Sequence, residues 1–238
     1  MRLEIILRVH DGGNVHEAPR ALEVSKAEIV KRCARSLATA MRVEGIKAFD
    51  ALTIIVDEIQ DDTHNSLVDS LSGGGWRQSK PGNSASLAKA IDQAAHSEAD
   101  AVLLLEDDYL WQPDGVGALI EAWETFSAEL DKPIALHPCD DYWNYVRHDP
   151  CRIVAAESRA WRTNQHCTGT MMIAPETIRN FRLTFDRLAL TEREEGSINR
   201  LWGGPIQLFS PLVPCAWHLN ENRHPFHDYT SLWEGNAC

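Results

Sequence analysis

Ala101-Val102-Leu103-Leu104-Leu105-Glu106-Asp107-Asp108 sets five apolar residues directly against three acids. A short, unbroken apolar run of this kind predicts a strand covered on both faces. Three adjacent carboxylates at the tip of such a strand repel one another and call for a cation. Carboxylate oxygens suit Mg²⁺ or Mn²⁺, whose shells are commonly completed by substrate phosphates. Alternate residues of an extended segment point the same way, so Glu106 and Asp108 share a side and Asp107 turns from them. The bland alternative is a solvated acidic turn; its seat directly after a buried strand favours a site.

Working outward, Leu3, Ile5, Leu7 and Val9 alternate before His10-Asp11-Gly12-Gly13, a strand entering a loop. Ser25-Lys26-Ala27-Glu28 is a capping box, opening a helix with Ile29, Val30, Cys33, Leu37 and Met41 at helical spacing. Leu52 to Val56 predicts a second buried strand, ending in Asp57-Glu58. Residues 72–83 read as a Gly/Ser-rich loop, and Asn83 or Ser84 as the cap of the next helix. A further helix follows Pro113-Asp114, and a strand covers Ile134 to Leu136. Residues 137–168 read as irregular and aromatic, followed by a strand over Thr170–Ala174 and a helix opened by Pro175.

Strands alternating with helices predict an α/β fold with a mostly parallel central sheet flanked by helices. Ligands of such sheets sit outside the carboxyl ends of the strands. Asp11, Asp57 and Glu106–Asp108 all fall there and should converge on one crevice. The chain reads as one domain over 1–238, with a ligand-binding half at 1–130 and a second, more irregular half at 131–238.

Composition narrows the function. Against 35 acids stand 23 lysines and arginines, a net charge of −12, which argues against a broad phosphate-binding surface for nucleic acid. The six cysteines form no CxxC pair, the N-terminus is too polar for a signal peptide, and no stretch approaches ~20 apolar residues. Free thiols in a reducing, cytoplasmic setting are expected. Walker A and GxGxxG patterns are absent, which disfavours kinases, ATPases and dinucleotide enzymes.

Three segments in order, Leu52–Asp57 with Asp61-Asp62-Thr63, the Asn83-initiated helix, and Ala101–Asp108 followed by Pro113, resemble the family 2 glycosyltransferases of GT-A fold. The likeness covers about residues 3–130 well and the remainder loosely. It implies a metal-dependent transferase that moves a sugar from a nucleotide-diphosphate donor, a UDP-sugar favoured, to an acceptor hydroxyl with inversion. It further implies that Asp57 accepts a hydrogen bond from base or ribose and that His10 lies at the nucleotide. There Arg8-Val9-His10-Asp11 replaces the usual Pro-containing turn. The family's DxD motif stands here as Glu106-Asp107-Asp108. Asp108 then ligates Mn²⁺ or Mg²⁺, Glu106 reaches ribose or metal, and Asp107 faces sugar or protein. Glu195, preceded by Glu194, falls on the family's catalytic base; favourable charge at a helix start explains the pair equally well, and Asp186 and Asp140 stand behind it. His218, in Pro214-Cys215-Ala216-Trp217-His218, resembles the histidine that closes the metal shell, with His224 and His227 as competitors.

Cys215, His218, His224 and His227 also have the ligand types of zinc, at no familiar spacing. Tyr142, Trp143, Tyr145, Trp161, Trp202 and Trp217 are candidates for stacking on sugar or base. The acceptor is open: a saccharide, another hydroxyl, or a modified DNA base, the last disfavoured by the acidity. Two other readings stand beside the transferase. One is a non-catalytic nucleotide-sugar-binding scaffold. The other is a sugar nucleotidyltransferase, which would need a basic loop after the first strand.

Overall fold

A computed structural model describes residues 1–11, 24–80, 82–147, 149–167, 169–190, 195–219 and 228–237. The order begins β1 (Leu3–Val9), α1 (Lys26–Val43), α2 (Ala48–Ala51), β2 (Leu52–Val56), α3 (Asp61–Ser70), β3 (Gly75–Gln78) and α4 (Asn83–His96). It continues β4 (Ala101–Leu105), β5 (Tyr109–Trp111), α5 (Gly115–Glu129), β6 (Ile134–Leu136), α6 (Trp143–Val146), β7 (Ile153–Ala155), β8 (Ala160–Asn164) and β9 (Met171–Ile173). The last elements are α7 (Pro175–Asn180), α8 (Arg182–Leu190), α9 (Glu195–Ile198), β10 (Gln207–Pro211), β11 (Ala216–His218) and α10 (Thr230–Gly235).

Among the described residues nine strands form one sheet in the order β3-β2-β1-β4-β9-β6-β10-β8-β7. All but β8 and β9 run in one direction, so the sheet is mostly parallel, as predicted. β9 lies antiparallel between β4 and β6. Leaving β4, the chain passes through β5 and α5 before returning to β6, and the gap between β4 and β6 is filled later by β9.

The sheet is double-faced because alternate side chains of each strand go to opposite layers. Ile5, Leu7, Ile54, Leu103 and Leu105 pack with Val30, Leu37, Leu119 and Phe126 of α1 and α5. Ile6, Ile55, Val102 and Leu104 pack on the other face with Ile91, Ile178 and Phe185 of α4, α7 and α8. Each fully buried aliphatic side chain contributes roughly 1.5–3 kcal/mol, enough for β4 to fix firmly where the acids after Leu105 emerge.

Local signals succeed where they are strong. Ser25 caps α1, its side chain accepting the Glu28 N–H at 3.2 Å. The reciprocal half of the box is not made, since Glu28 pairs with Arg32 at 2.5 Å.

Other expectations need correction. The loop read over 72–83 contains β3, an edge strand whose pattern is too exposed to register as apolar alternation. Asn83 does not cap α4: Gly82, at φ 109°, is the cap residue, and the Asn83 side chain goes to Arg8 instead. The stretch 137–168, read as irregular, holds α6 and the β7–β8 hairpin, with Ile153 exposed at an outer strand. The tail also carries more structure than its composition suggested, in β10, β11 and α10.

β5 and β11 form a separate antiparallel ribbon. Leu110 and Trp217 of that ribbon, and Leu219 just past it, pack with Ile29 and Cys33 of α1 and with Tyr229 and Trp233 at α10. This third cluster ties the chain just after the acids to the C-terminal segment.

Candidate functional site at the tips of β1, β2 and β4

The acids gather as expected. β1 lies between β2 and β4, with Val9 opposite Val56 and Leu7 opposite Leu105, so Asp11, Asp57 and Glu106 leave the sheet on the same edge. Asp57 N–H bonds Val9 O at 2.9 Å, extending the ladder past the strands. His10 bridges the two tips: its N–H donates to Asp107 Oδ2 at 2.7 Å, and its ring Nδ1 lies 2.9 Å from Asp57 O.

The acids of the triplet differ in how they are held. Glu106 Oε1 accepts from Arg8 Nη2 at 2.7 Å. Arg8, buried at the end of β1, also donates Nη1 to Asn83 Oδ1 at 2.9 Å and to Ser86 Oγ at 3.3 Å, joining Glu106 to the first turn of α4. The Glu106 N–H bonds Thr170 Oγ1 at 3.1 Å. Its other carboxylate oxygen lies against Gly169, where an added Cβ would stand 2.1 Å from Oε2. Asp107 accepts from Lys26 Nζ at 2.5 Å.

Asp108 is the acid left open. Its Oδ2 lies 3.5 Å from Lys26 Nζ and its Oδ1 3.6 Å from His218 Nε2. No hydrogen bond among the described residues reaches the buried Oδ1. His218 arrives through the ribbon: it is the register partner of Tyr109, stacks on that ring at 4.7 Å, and the Leu219 N–H donates to Asp108 O at 2.9 Å. Burial alone would raise the Asp108 carboxyl, but the nearby Lys26 and His218 charges outweigh it and hold Asp108 below the usual carboxylate range. Burial likewise would lower Lys26, yet Asp107 and Asp108 outweigh it and hold the ammonium above the ordinary lysine range.

Asp57 is almost wholly buried and both its oxygens accept from the Gly82 N–H, at 3.1 and 3.0 Å. It clamps the turn that launches α4. Asp11 Oδ1 accepts the Gln60 N–H at 2.9 Å, fixing the turn before α3.

Of the base candidates, Glu194 lies outside the described residues, and of Glu195 only the position as first residue of α9 is described. The two fallbacks have structural partners. Asp186 pairs with Arg182 at 2.7 Å on α8. Asp140 is fully buried among Tyr145 Oη, Asn144 Nδ2 at 2.9 Å and Arg162 Nη2 at 3.2 Å, and burial raises its carboxyl despite them. His224 and His227 also lie outside the described residues. Cys215 is enclosed in the apolar core, where burial pushes its thiol up to about 12. Of the aromatics, Trp161, Trp202 and Trp217 are core residues, whereas Trp143 is exposed and Tyr142 and Tyr145 are half-buried beside it.

Sequence reasoning missed Arg8, Lys26, Gly169 and Thr170. Lys26 left a signal: a lysine in the first turn opposes the helix dipole and needs an acidic partner from elsewhere. Gly169 and Thr170 left none, because their partners are remote in the chain.

No protein-family model and no curated protein sequence matches the chain. Solved structures do share its fold. Glucosyl-3-phosphoglycerate synthase from Mycobacterium tuberculosis, in complex with Mg²⁺ and uridine diphosphate, aligns with a TM-score of 0.50 at 12% identity, over 98% of this chain and 75% of that one. S. aureus TarS, residues 1–349, aligns with a TM-score of 0.51 at 10% identity, over 88% of this chain and 60% of that one. The architecture is the GT-A-like fold of nucleotide-sugar transferases. No helix among the described residues is long and apolar enough to cross a membrane.

Proposed function

We propose that the chain is a divalent-metal-dependent glycosyltransferase, moving a sugar from a nucleotide-diphosphate donor, a UDP-sugar favoured, to an acceptor hydroxyl with inversion. The observation that carries this reading is the Asp108 carboxylate at the tip of β4. Among the described residues one of its oxygens is buried without a hydrogen-bond partner, and an imidazole stands 3.6 Å away. A carboxylate oxygen and an imidazole nitrogen suit Mn²⁺. Asp108 and His218 would therefore hold the ion, which when bound neutralises charge on the leaving diphosphate.

The neighbours divide the remaining work. Glu106, fixed by Arg8 and Gly169, is held toward the nucleotide side and takes the ribose hydroxyls rather than the ion, because Arg8 already balances its charge. His10 and Asp57 frame the base, with the Asp57–Gly82 bond keeping the turn beside it in shape. Lys26 sits within reach of Asp107 and Asp108 and adds positive charge where the diphosphate would lie. Glu195, at the start of α9, is the proposed base that takes the acceptor proton. Mn²⁺ or Mg²⁺ serves as the metal.

Isothermal titration of UDP, with and without Mn²⁺, tests the reading in the wild type and in Asp108→Asn. Binding that needs Mn²⁺ and is lost in the variant supports it. Absence of binding, or binding indifferent to metal and to the variant, overturns it.

A further inference from the structure

Immediately after β6 the chain reads His137-Pro138-Cys139-Asp140-Asp141. His137, Cys139 and Asp141 are one residue apart in alternation, and a ligand atom from each lies within 4.8 Å of the others. An imidazole, a thiol and a carboxylate are the donors of zinc chemistry and differ from the oxygen-dominated set around Asp108. We propose that His137, Cys139 and Asp141 form a second, soft-metal site that takes Zn²⁺.

The segment is held from three sides. The His137 N–H continues the sheet by donating to Phe209 O at 2.8 Å. Pro138 O accepts from both the Cys215 and Ala216 N–H groups, at 2.9 and 3.1 Å. The His137 ring donates Nδ1–H to Thr170 O at 2.8 Å, which turns Nε2 toward Asp141 Oδ2, 2.9 Å away. A ring whose far nitrogen is locked by a backbone carbonyl is the usual support of a metal-bound histidine. Cys167 Sγ approaches the Nδ1 edge of the ring, at 3.5 Å, and is therefore on the wrong side to be a ligand with Nε2.

His137 and Cys139 are buried while the Asp141 side chain is partly open. The set thus has an apolar back and one side facing solvent. Among the described residues no fourth group joins these three within ligand distance, which leaves the fourth position to water or a substrate oxygen, the pattern of zinc sites that bind something exchangeable. Metal entry displaces the proton held between His137 Nε2 and Asp141 and the proton of the Cys139 thiol, so binding releases protons and tightens as pH rises.

Zn²⁺ and Co²⁺ are the probes, with the full chain in chelator-treated buffer. The expected result is stoichiometric Zn²⁺ binding and, with Co²⁺, a near-ultraviolet thiolate-to-metal band that Zn²⁺ erases. Cys139→Ser should remove the band and weaken Zn²⁺ by more than about 100-fold, beyond the 10–100-fold typical of losing an outer partner. Asp108→Asn should leave both intact, which separates this site from the proposed donor site. X-ray absorption on the zinc-loaded wild type decides the matter even if Cys139→Ser fails to fold: one sulfur at about 2.3 Å is expected. A shell without sulfur, a cobalt band that survives in Cys139→Ser, or no Zn²⁺ binding by the wild type would overturn the proposal.

Discussion

Lys26 Nζ stands 3.5 Å from Asp108 Oδ2, reaching from the first turn of α1 to the tip of β4. The same ammonium bonds Asp107, and Arg8 holds Glu106. The protein therefore supplies two of the positive charges that three adjacent acids require. A metal at Asp108 adds to this balance and does not create it, so the fold should persist without metal while the donor site should not function.

Lys26→Met should expose that balance. Removing one partner from a largely buried ion pair costs about 3 kcal/mol, so the melting temperature in chelator should fall. Mn²⁺ should restore part of the loss, and its affinity without nucleotide should rise because Asp108 no longer has a competing cation. Thermal melts with chelator and with Mn²⁺ measure both effects. An unchanged melting temperature would show that Lys26 does not compensate these acids.

Gly169→Ala tests the seat of Glu106. The new Cβ would stand 2.1 Å from Oε2 of the Glu106 carboxylate, whose Oε1 Arg8 holds. Overpacking of this sort costs roughly 1–3 kcal/mol, and UDP affinity should drop as Glu106 is pushed from place. Gly196→Ala, where no atom of the described residues lies within 4 Å of the new Cβ, is the control and should leave both stability and binding near wild type. Equal behaviour of the two variants would refute the packing claim.

Ser36→Ala should destabilise the chain without touching the acids. Ser36 Oγ accepts the Trp111 N–H at 2.9 Å and donates to Cys33 O at 2.7 Å, joining α1 to β5 in the interior. Leaving the Trp111 N–H unpaired costs about 1–3 kcal/mol, at about 2–4 °C of melting temperature per kcal/mol for a chain of this size. Denaturant titration should show the loss with an unchanged slope.

The His137–Asp141 pair gives a pH signature. Burial opposes charge on Asp141, but His137 and its hydrogen bond outweigh it and bring the carboxyl from 3.8 down to about 2. A depressed carboxylate contributes stability above its unfolded value that disappears as pH falls through the folded one, here between about 4 and 2 and worth ~2 kcal/mol. Burial likewise opposes the His137 charge, and Cys167 and Asp141 outweigh it and raise the imidazole well above 6.5. That contribution is complete below 6.5 and fades as pH climbs through the raised value. Asp141→Asn, melted in chelator across this range, should flatten the acid limb; an unaltered profile would deny the pairing.

How far the chain could be read locally follows the range of each signal. The Ala101–Leu105 run, the Ser25 cap and the alternation of β1 are patterns within a few residues, and all three elements stand where they predict. β3 and the β7–β8 hairpin lie at the two edges of the sheet, where half the side chains face water and the apolar period fades. The proposed base pair, Glu194 and Glu195, stays with the family resemblance, since its side chains lie outside the described residues.

From the sequence alone came the three acids at a buried strand's tip and the expectation that Asp11 and Asp57 would join them, because strand direction fixes which end meets the ligand. The family resemblance named His218 for Asp108 along with two competitors; how it arrives, and that Lys26 joins it, only the tertiary structure decided. His218 gets there by antiparallel pairing of β5 with β11, and Lys26 by the docking of α1 across β4 and β5. Periodicity is written over a few neighbouring residues, whereas the choice of strand partner is made by the packing of the whole chain.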